Sequence, residues 1–254
     1  MAAAPSGQAS PSKRSTSGRV LVIFPGALGD LICLGPALRA LGRRHRGLSL
    51  ELMAREELAR FAVGRMGVAR GHSIDRREVS GLFAESAEPA NFREPASRDS
   101  GAQEVSTEIG TETQEFFAAF DRIYSFFASR HRRFRDSLTI ASSGAASFHP
   151  FRPGGPGHVA AAYLRSLGEH SSVVESRIEL LADDIEAAAR RLERHGLVPG
   201  EFVLLLPGSG SPAKNWPPEK FAQLGEALAA RAGGAVVLGP AESRLEAIFA
   251  ARGL

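Results

Sequence analysis

Short apolar runs alternate along this chain with stretches in which apolar residues recur every three or four positions. Arg19-Val-Leu-Val-Ile-Phe24 is such a run, ended by Pro25-Gly26, and it predicts a strand buried on both faces of a parallel sheet. Leu31, Leu34, Leu38 and Leu41 follow at spacings of three, four and three, one face of a helix. Pro36 lies inside that pattern, so the helix either kinks there or starts near Pro36 after a short turn. Residues 48–53 predict a second strand and 55–63 a second helix. Residues 122–127 and 137–141 predict strands, and 158–167 a helix. Farther on, Leu181, Ile185, Ala188 and Leu192 are spaced four, three and four, an amphipathic helix closed by His195-Gly196. Residues 202–206 then predict a buried strand, 218–231 a helix, 235–238 a strand and 242–251 a last helix. Strand–helix–strand order implies right-handed crossovers and parallel sheets, hence an α/β chain in two units. The boundary is expected near 170–176, separating 19–172 from 173–254.

Two stretches fall outside this rhythm. Residues 1–18 are Ala, Ser, Pro, Gly and Gln with Lys13 and Arg14; they lack periodicity and predict a disordered tail. Residues 85–113 are rich in Glu, Ser, Ala, Pro and Thr and predict an exposed, disordered insertion.

Composition narrows the function. Of 254 residues 43% are apolar, enough for a sizeable core, and the net charge of +3 suits phosphate-bearing ligands without arguing for nucleic acid. Cys33 is the single cysteine, which rules out an internal disulfide and a Cys-cluster metal site. The seven histidines form no metal-binding pattern. No run approaches the length of a membrane-spanning helix, and no apolar export signal opens the chain; the expected location is the cytoplasm.

The chemistry concentrates in two glycine turns, each after a strand and before a helix, where open α/β sheets bind ligands. The first is Pro25-Gly26-Ala27-Leu28-Gly29-Asp30. Gly26 and Gly29 let backbone approach a ligand; Asp30 either faces the cleft or caps the helix. The second runs from Leu206 through Pro207-Gly208-Ser209-Gly210-Ser211-Pro212-Ala213-Lys214-Asn215-Trp216-Pro217. Its amides and hydroxyls suit phosphate oxygens, and Lys214 adds a positive charge, either for that anion or for solvent. Trp216 is expected to anchor the core.

These segments carry a resemblance. The chain resembles the lipopolysaccharide heptosyltransferases, glycosyltransferase family 9. The residues that carry it are Arg19-Val-Leu-Val-Ile, Gly29-Asp30, Gly35-Pro36-Ala37-Leu38-Arg39-Ala40-Leu41, the Pro207–Pro217 segment and Val236-Val237-Leu238-Gly239-Pro240-Ala241-Glu242. Residues 72–170 carry little of it. The resemblance implies the GT-B architecture, two Rossmann-like domains facing a cleft. It also implies an inverting transfer of sugar, heptose from ADP-heptose, onto a lipid-linked saccharide acceptor of the lipopolysaccharide core, with neither metal nor cofactor. It makes Asp30 the general base and Lys214 the phosphate ligand, with Ser209 and Ser211 as nearby candidates; the turns themselves add Gly26, Gly29 and Gly210 as substrate-binding candidates. Without a metal, backbone amides, a helix N-terminus and cations must meet the charge of the leaving group. Relatives continue into a D-[ST]-G-type turn that residues up to Leu254 do not contain, so the second domain is expected to be incomplete, with an uncovered sheet edge and apolar helix face.

Other features fit less closely. Arg130, His131, Arg132, Arg133 and Arg135 form a basic cluster, either a solvated loop or a contact for acceptor phosphates or an anionic membrane face, which would place the protein peripherally on the inner membrane. Arg43, Arg44 and Arg46 could join it. His158 could line the cleft, and Cys33 reads as a small buried apolar group. Two other functions compete. One is a module that binds acceptor or nucleotide without catalysis. The other is a nicotinamide-dependent oxidoreductase, for which Glu51, about 20 residues past the first turn, would hold ribose.

Overall fold

A computed structural model of the chain describes residues 18–83, 109–154, 157–170, 174–209, 211–229 and 232–253. The predicted tail up to residue 17, residues 85–108 of the predicted insertion, and Gly210 lie outside the described residues. The chain divides into two compact units, after Glu179.

The first unit is built on a five-stranded parallel sheet. Its strands are β1 (Arg19–Ile23), β2 (Ser49–Ala54), β3 (Arg70–Ser73), β4 (Arg122–Ser125) and β5 (Ala146–Phe148), in the spatial order β3-β2-β1-β4-β5. Its helices are α1 (Leu28–Arg44), α2 (Glu56–Ala62), α3 (Arg77–Gly81), α4 (Thr111–Ala118), α5 (Arg132–Ala141) and α6 (Val159–Ser166). Successive residues of a strand face opposite sides, and β1 supplies both cores. Val20, Val22 and Phe24 pack with α1, α2 and α6, whereas Leu21 and Ile23 pack with α3, Phe117 of α4 and α5. That two-sided burial explains why β1 is apolar throughout.

Several expectations are corrected. Pro36 had two alternatives, and the structure takes the continuous helix: α1 runs through it. The buried stripe Leu31, Leu34, Leu38 and Leu41 holds both halves of the helix against the sheet. Residues 137–141 are not a strand but the last half of α5. Phe134, Ser137, Leu138 and Ala141 are buried while Arg135, Asp136 and Ile140 are exposed, a helical and not an alternating pattern. The predicted insertion ends sooner than residue 113, because Thr111 opens α4 and Thr113 is buried against Gly81. Strands β3 and β5 and helices α3 and α4 were not legible in the pattern; they span only three to eight residues each.

Residues 174–179 stay with the first unit. The Arg39 guanidinium donates to the carbonyls of Glu175 and Arg177, and the Glu179 N–H donates to the Arg65 carbonyl. The second unit holds α7 (Ala182–Arg194), β6 (Phe202–Leu205), α8 (Pro218–Ala229), β7 (Gly233–Val236) and α9 (Glu246–Ala250), with β6 and β7 parallel. Strand β7 starts two residues before its predicted position, and a 3-10 turn over Pro240–Leu245 takes the first four residues of the helix expected over 242–251. Strand β6 is not buried on both faces. Leu205 packs inward, but Leu204 is 46% and Leu206 60% exposed. No residue of α7 is buried: of its apolar stripe Ile185 and Ala188 are exposed and Leu192 is half-buried.

Candidate active site

The sheet of the first unit reverses its order at β1. The chain steps from β1 outward to β2 and β3, then returns to build β4 and β5 on the other side. Such a switch point leaves a crevice at the carboxyl ends of the two central strands. The turn after β1 opens there, and Asp30 is the third residue of α1. Its Oδ2 accepts the Ala27 N–H at 3.1 Å, which satisfies one of the free amides at the helix start. Its Oδ1 has no hydrogen-bond partner among the described residues. Asp30 is therefore both a cap and a half-buried carboxylate with one oxygen to spare.

An aromatic floor lies under this turn. The Phe24 ring meets Phe151, Tyr163 and Phe126 edge-on at 5.5, 5.8 and 6.0 Å. The Tyr163 hydroxyl donates to the Phe151 carbonyl at 2.8 Å and so ties the segment after β5 to α6. Burial, then the negative charge of Asp30 and the Cys33 thiol, push the Tyr163 hydroxyl up to about 12, against the pull of Arg152. The Cys33 thiol is likewise raised, by burial and then by Asp30. Cys33 is half-buried beside the core, one helical turn from Asp30.

The two glycines of the turn differ from one another. A Cβ on Gly26 would fall 2.4 Å from Phe24 Cε1 and 2.7 Å from Asp30 Cβ. Gly26 is thus required by the turn's own packing. Nothing lies within 4 Å of a Cβ on Gly29, which is exposed; it is the one of the pair whose backbone a ligand can approach.

In the second unit the loop after β6 passes through a 3-10 turn, Pro212–Lys214, into α8. Lys214 is exposed and makes no ion pair among the described residues. Ser209 is exposed, but its hydroxyl bonds within its own loop. Its Oγ lies within hydrogen-bond distance of Asn215 Oδ1 and the Ser211 carbonyl, and accepts the Ser211 N–H at 3.3 Å. Ser211 itself supplies backbone, its carbonyl accepting the Lys214 N–H at 3.0 Å. Trp216 is not a core anchor: it is 45% exposed and meets Phe221 edge-on at 5.2 Å.

Glu242, to which the sequence assigns no role, packs at the two glycine turns of the second unit. A Cβ on Gly208 would lie 2.5 Å from its carboxyl carbon, and one on Gly239 2.7 Å from its Oε2. Its carboxylate thus occupies the space that two glycines vacate at the carboxyl ends of β6 and β7. The signal was the glycine just after an apolar strand, with an acid three residues on.

The remaining candidates sort by position. Arg130, Arg132 and Arg135 are exposed at the start of α5. That is the carboxyl end of β4, the same edge of the sheet as Asp30. His131 caps α5 by accepting the Phe134 N–H at 3.2 Å, and Arg135 lies 5.0 Å over the Phe148 ring. The second basic run cannot join them. Helix α1 returns toward the amino edge over its 17 residues, roughly 25 Å. There Arg44 binds the Leu167 carbonyl and Glu169, and His45 the Tyr124 hydroxyl. His158 caps α6, its Nδ1 accepting the Ala160 N–H at 3.2 Å.

Glu51 is unavailable to any ribose. It is 2% exposed in the middle of β2, held by Arg19 at 2.8 and 2.9 Å and by His72 at 2.6 Å. Burial alone would raise its carboxyl, but Arg19 and His72 together hold it below the usual range. This removes the residue on which the oxidoreductase reading rested. Among the described residues no group of three or more His, Cys, Asp or Glu could hold a metal ion, and no helix is long and apolar enough to cross a membrane.

No protein-family model and no curated protein matches the sequence. Solved structures do match. A glycosyl transferase family 9 protein from Veillonella parvula DSM 2008 is 18% identical, with a TM-score of 0.65 over 92% of this chain and 66% of that one. The fold is that of glycosyltransferase family 9. The ADP-heptose lps heptosyltransferase II of E. coli is 15% identical, with a TM-score of 0.59 over 92% of this chain and 68% of its own. The E. coli heptosyltransferase WaaC with ADP-2-deoxy-2-fluoro heptose gives 18% and 0.51, over 91% and 73%. The chain thus spans about two thirds of the length of the Veillonella protein, 66%. The resemblance drawn from the Gly29-Asp30 and Lys214-Asn215-Trp216-Pro217 segments holds at the level of fold, and so does the α/β, GT-B-like class it implied.

Proposed function

We propose that the protein is an inverting glycosyltransferase that needs no metal. It moves a sugar from a nucleotide-sugar donor, ADP-heptose foremost, onto a lipid-linked saccharide of the lipopolysaccharide-core type. The observation that carries this reading is the family 9 fold over 92% of the chain, with Asp30 at the switch point of the first sheet. The E. coli neighbours supply the donor class: one is named for ADP-heptose and another was solved with a fluorinated ADP-heptose.

In this reading the Asp30 Oδ1 takes the proton of the acceptor hydroxyl as the new bond to the sugar forms, while the nucleoside diphosphate departs from the opposite face. Lys214 and the backbone of the loop that holds Gly210 and Ser211 meet the charge on the diphosphate. The Glu242 carboxylate accepts from ribose hydroxyls. Gly29 gives the acceptor room, and the arginines at the start of α5 bind acceptor phosphates or an anionic membrane face. Work at such a surface fits a cytoplasmic protein peripheral to the inner membrane.

The test is a mass-spectrometric screen of sugar-nucleotide donors against core-oligosaccharide acceptors. Transfer from ADP-heptose that Asp30→Ala abolishes is the expected result. Transfer that survives Asp30→Ala undiminished removes Asp30 as the base, and transfer from no donor removes the activity.

A further inference from the structure

The bonding of the Ser209 hydroxyl within its own loop separates two roles that its sequence position runs together. A serine in a phosphate-binding loop can touch the phosphate or build the loop. A hydroxyl has one proton to donate and two acceptor sites. Here the proton is directed to Asn215 Oδ1 or the Ser211 carbonyl, and the Ser211 N–H fills an acceptor site. Two backbone bonds close the same ring, Lys214 N–H to Ser211 carbonyl at 3.0 Å and Asn215 N–H to Pro212 carbonyl at 3.1 Å. Pro207, Pro212 and Pro217 each fix a backbone torsion along it. Lys214 sits between Ser211 and Asn215, exposed and without an ion pair among the described residues. A closed ring presents an unmatched cation.

We propose that Ser209 and Asn215 are positioning residues, a side-chain latch that pre-shapes this loop for a nucleoside diphosphate while Lys214 makes the contact. The proposal rests on the donor-site reading of the loop and assigns Asn215 a part in it. Ordering the loop on folding spares binding the entropy of ordering it later.

The test measures ADP affinity of the full chain by titration calorimetry. Lys214→Ala should weaken binding about tenfold or more, as loss of a charged hydrogen bond does. Ser209→Ala and Asn215→Ala should each weaken it about three- to tenfold, and the double variant no further than either single one. Ser209→Thr, which keeps the hydroxyl, should bind like the parent. All variants should unfold at the parent's temperature, since the loop is exposed. If Lys214→Ala weakens binding but the two alanine variants add, or Ser209→Thr fails to rescue, the latch is wrong and the donor site stands. If ADP does not bind, or binds regardless of Lys214, the donor reading falls and the latch falls with it.

Discussion

At Glu51 one buried carboxylate meets the Arg19 guanidinium and the His72 ring, with the guanidinium also 4.2 Å over the Phe120 ring. Removing the charge strands what it pairs. Glu51→Gln should cost about 3 kcal/mol, the low end for a broken buried pair because the Arg19 side chain is 28% exposed. The folded carboxyl titrates below its unfolded value. Its stabilisation is therefore full above the ordinary carboxylate range and fades as the pH falls through the folded value. Urea unfolding of the parent from about pH 7 to about pH 3 should show this acid loss, and Glu51→Gln should flatten part of it. The turn glycines give a second contrast. Gly26→Ala pushes a methyl into Phe24 and Asp30 and should cost about 1–3 kcal/mol, as overpacking does. Gly29→Ala meets open space at the second helical position and should gain up to about 1 kcal/mol. Equal effects of the two substitutions in denaturant melts would contradict this packing of the turn.

Among the elements, α5 is the sharpest case, because residues 137–141 read equally well as a strand. In a strand Leu138 and Ile140 would share a face. In the helix they part: Leu138 is fully buried among Phe134 and Ala141, and Ile140 is 51% exposed. Leu138→Ala should cost about 3 kcal/mol by cavity formation, and Ile140→Ala less than about 0.5 kcal/mol. Similar losses would argue for the strand. Helix α1 teaches the converse: a proline normally costs a helix interior about 3 kcal/mol. Pro36 is tolerated because it and its neighbours Gly35 and Ala37 are buried in a core that already fixes the helix. Propensity lost to packing in both helices.

For the whole molecule, the two units differ in what they bury. The first carries two clusters on either side of a five-stranded sheet. In the second the buried apolar side chains among those described are Leu205, Pro207, Ala222 and Phe249, with Leu204, Leu206 and Val237 exposed. Opening free energy follows buried apolar contact. Hydrogen exchange should therefore find the amides of β1, β2 and β4 protected longest, and those of β6 and β7 exchanging at least about a hundredfold faster. Uniform protection across both units would show that the exposed face of β6 is covered in solution.

The local sequence was enough to specify β1, α1, the two glycine turns and the α/β order, because each is a long or strongly periodic signal tied to a residue type that few conformations tolerate. It also named Asp30 and Lys214, since a carboxylate and an ammonium in glycine turns after strands are visible without coordinates. Tertiary structure alone decided the rest. Strands β3 and β5 exist because β2 and β4 offer them edges, not because four or three residues insist on extending. Glu51 is a buried ion partner because Arg19 and His72, 32 and 21 residues away, arrive on neighbouring strands. Ser209 faces Asn215, and Gly26 makes room for Phe24, because a hydrogen bond or a clash depends on distance in space, which a linear pattern does not contain.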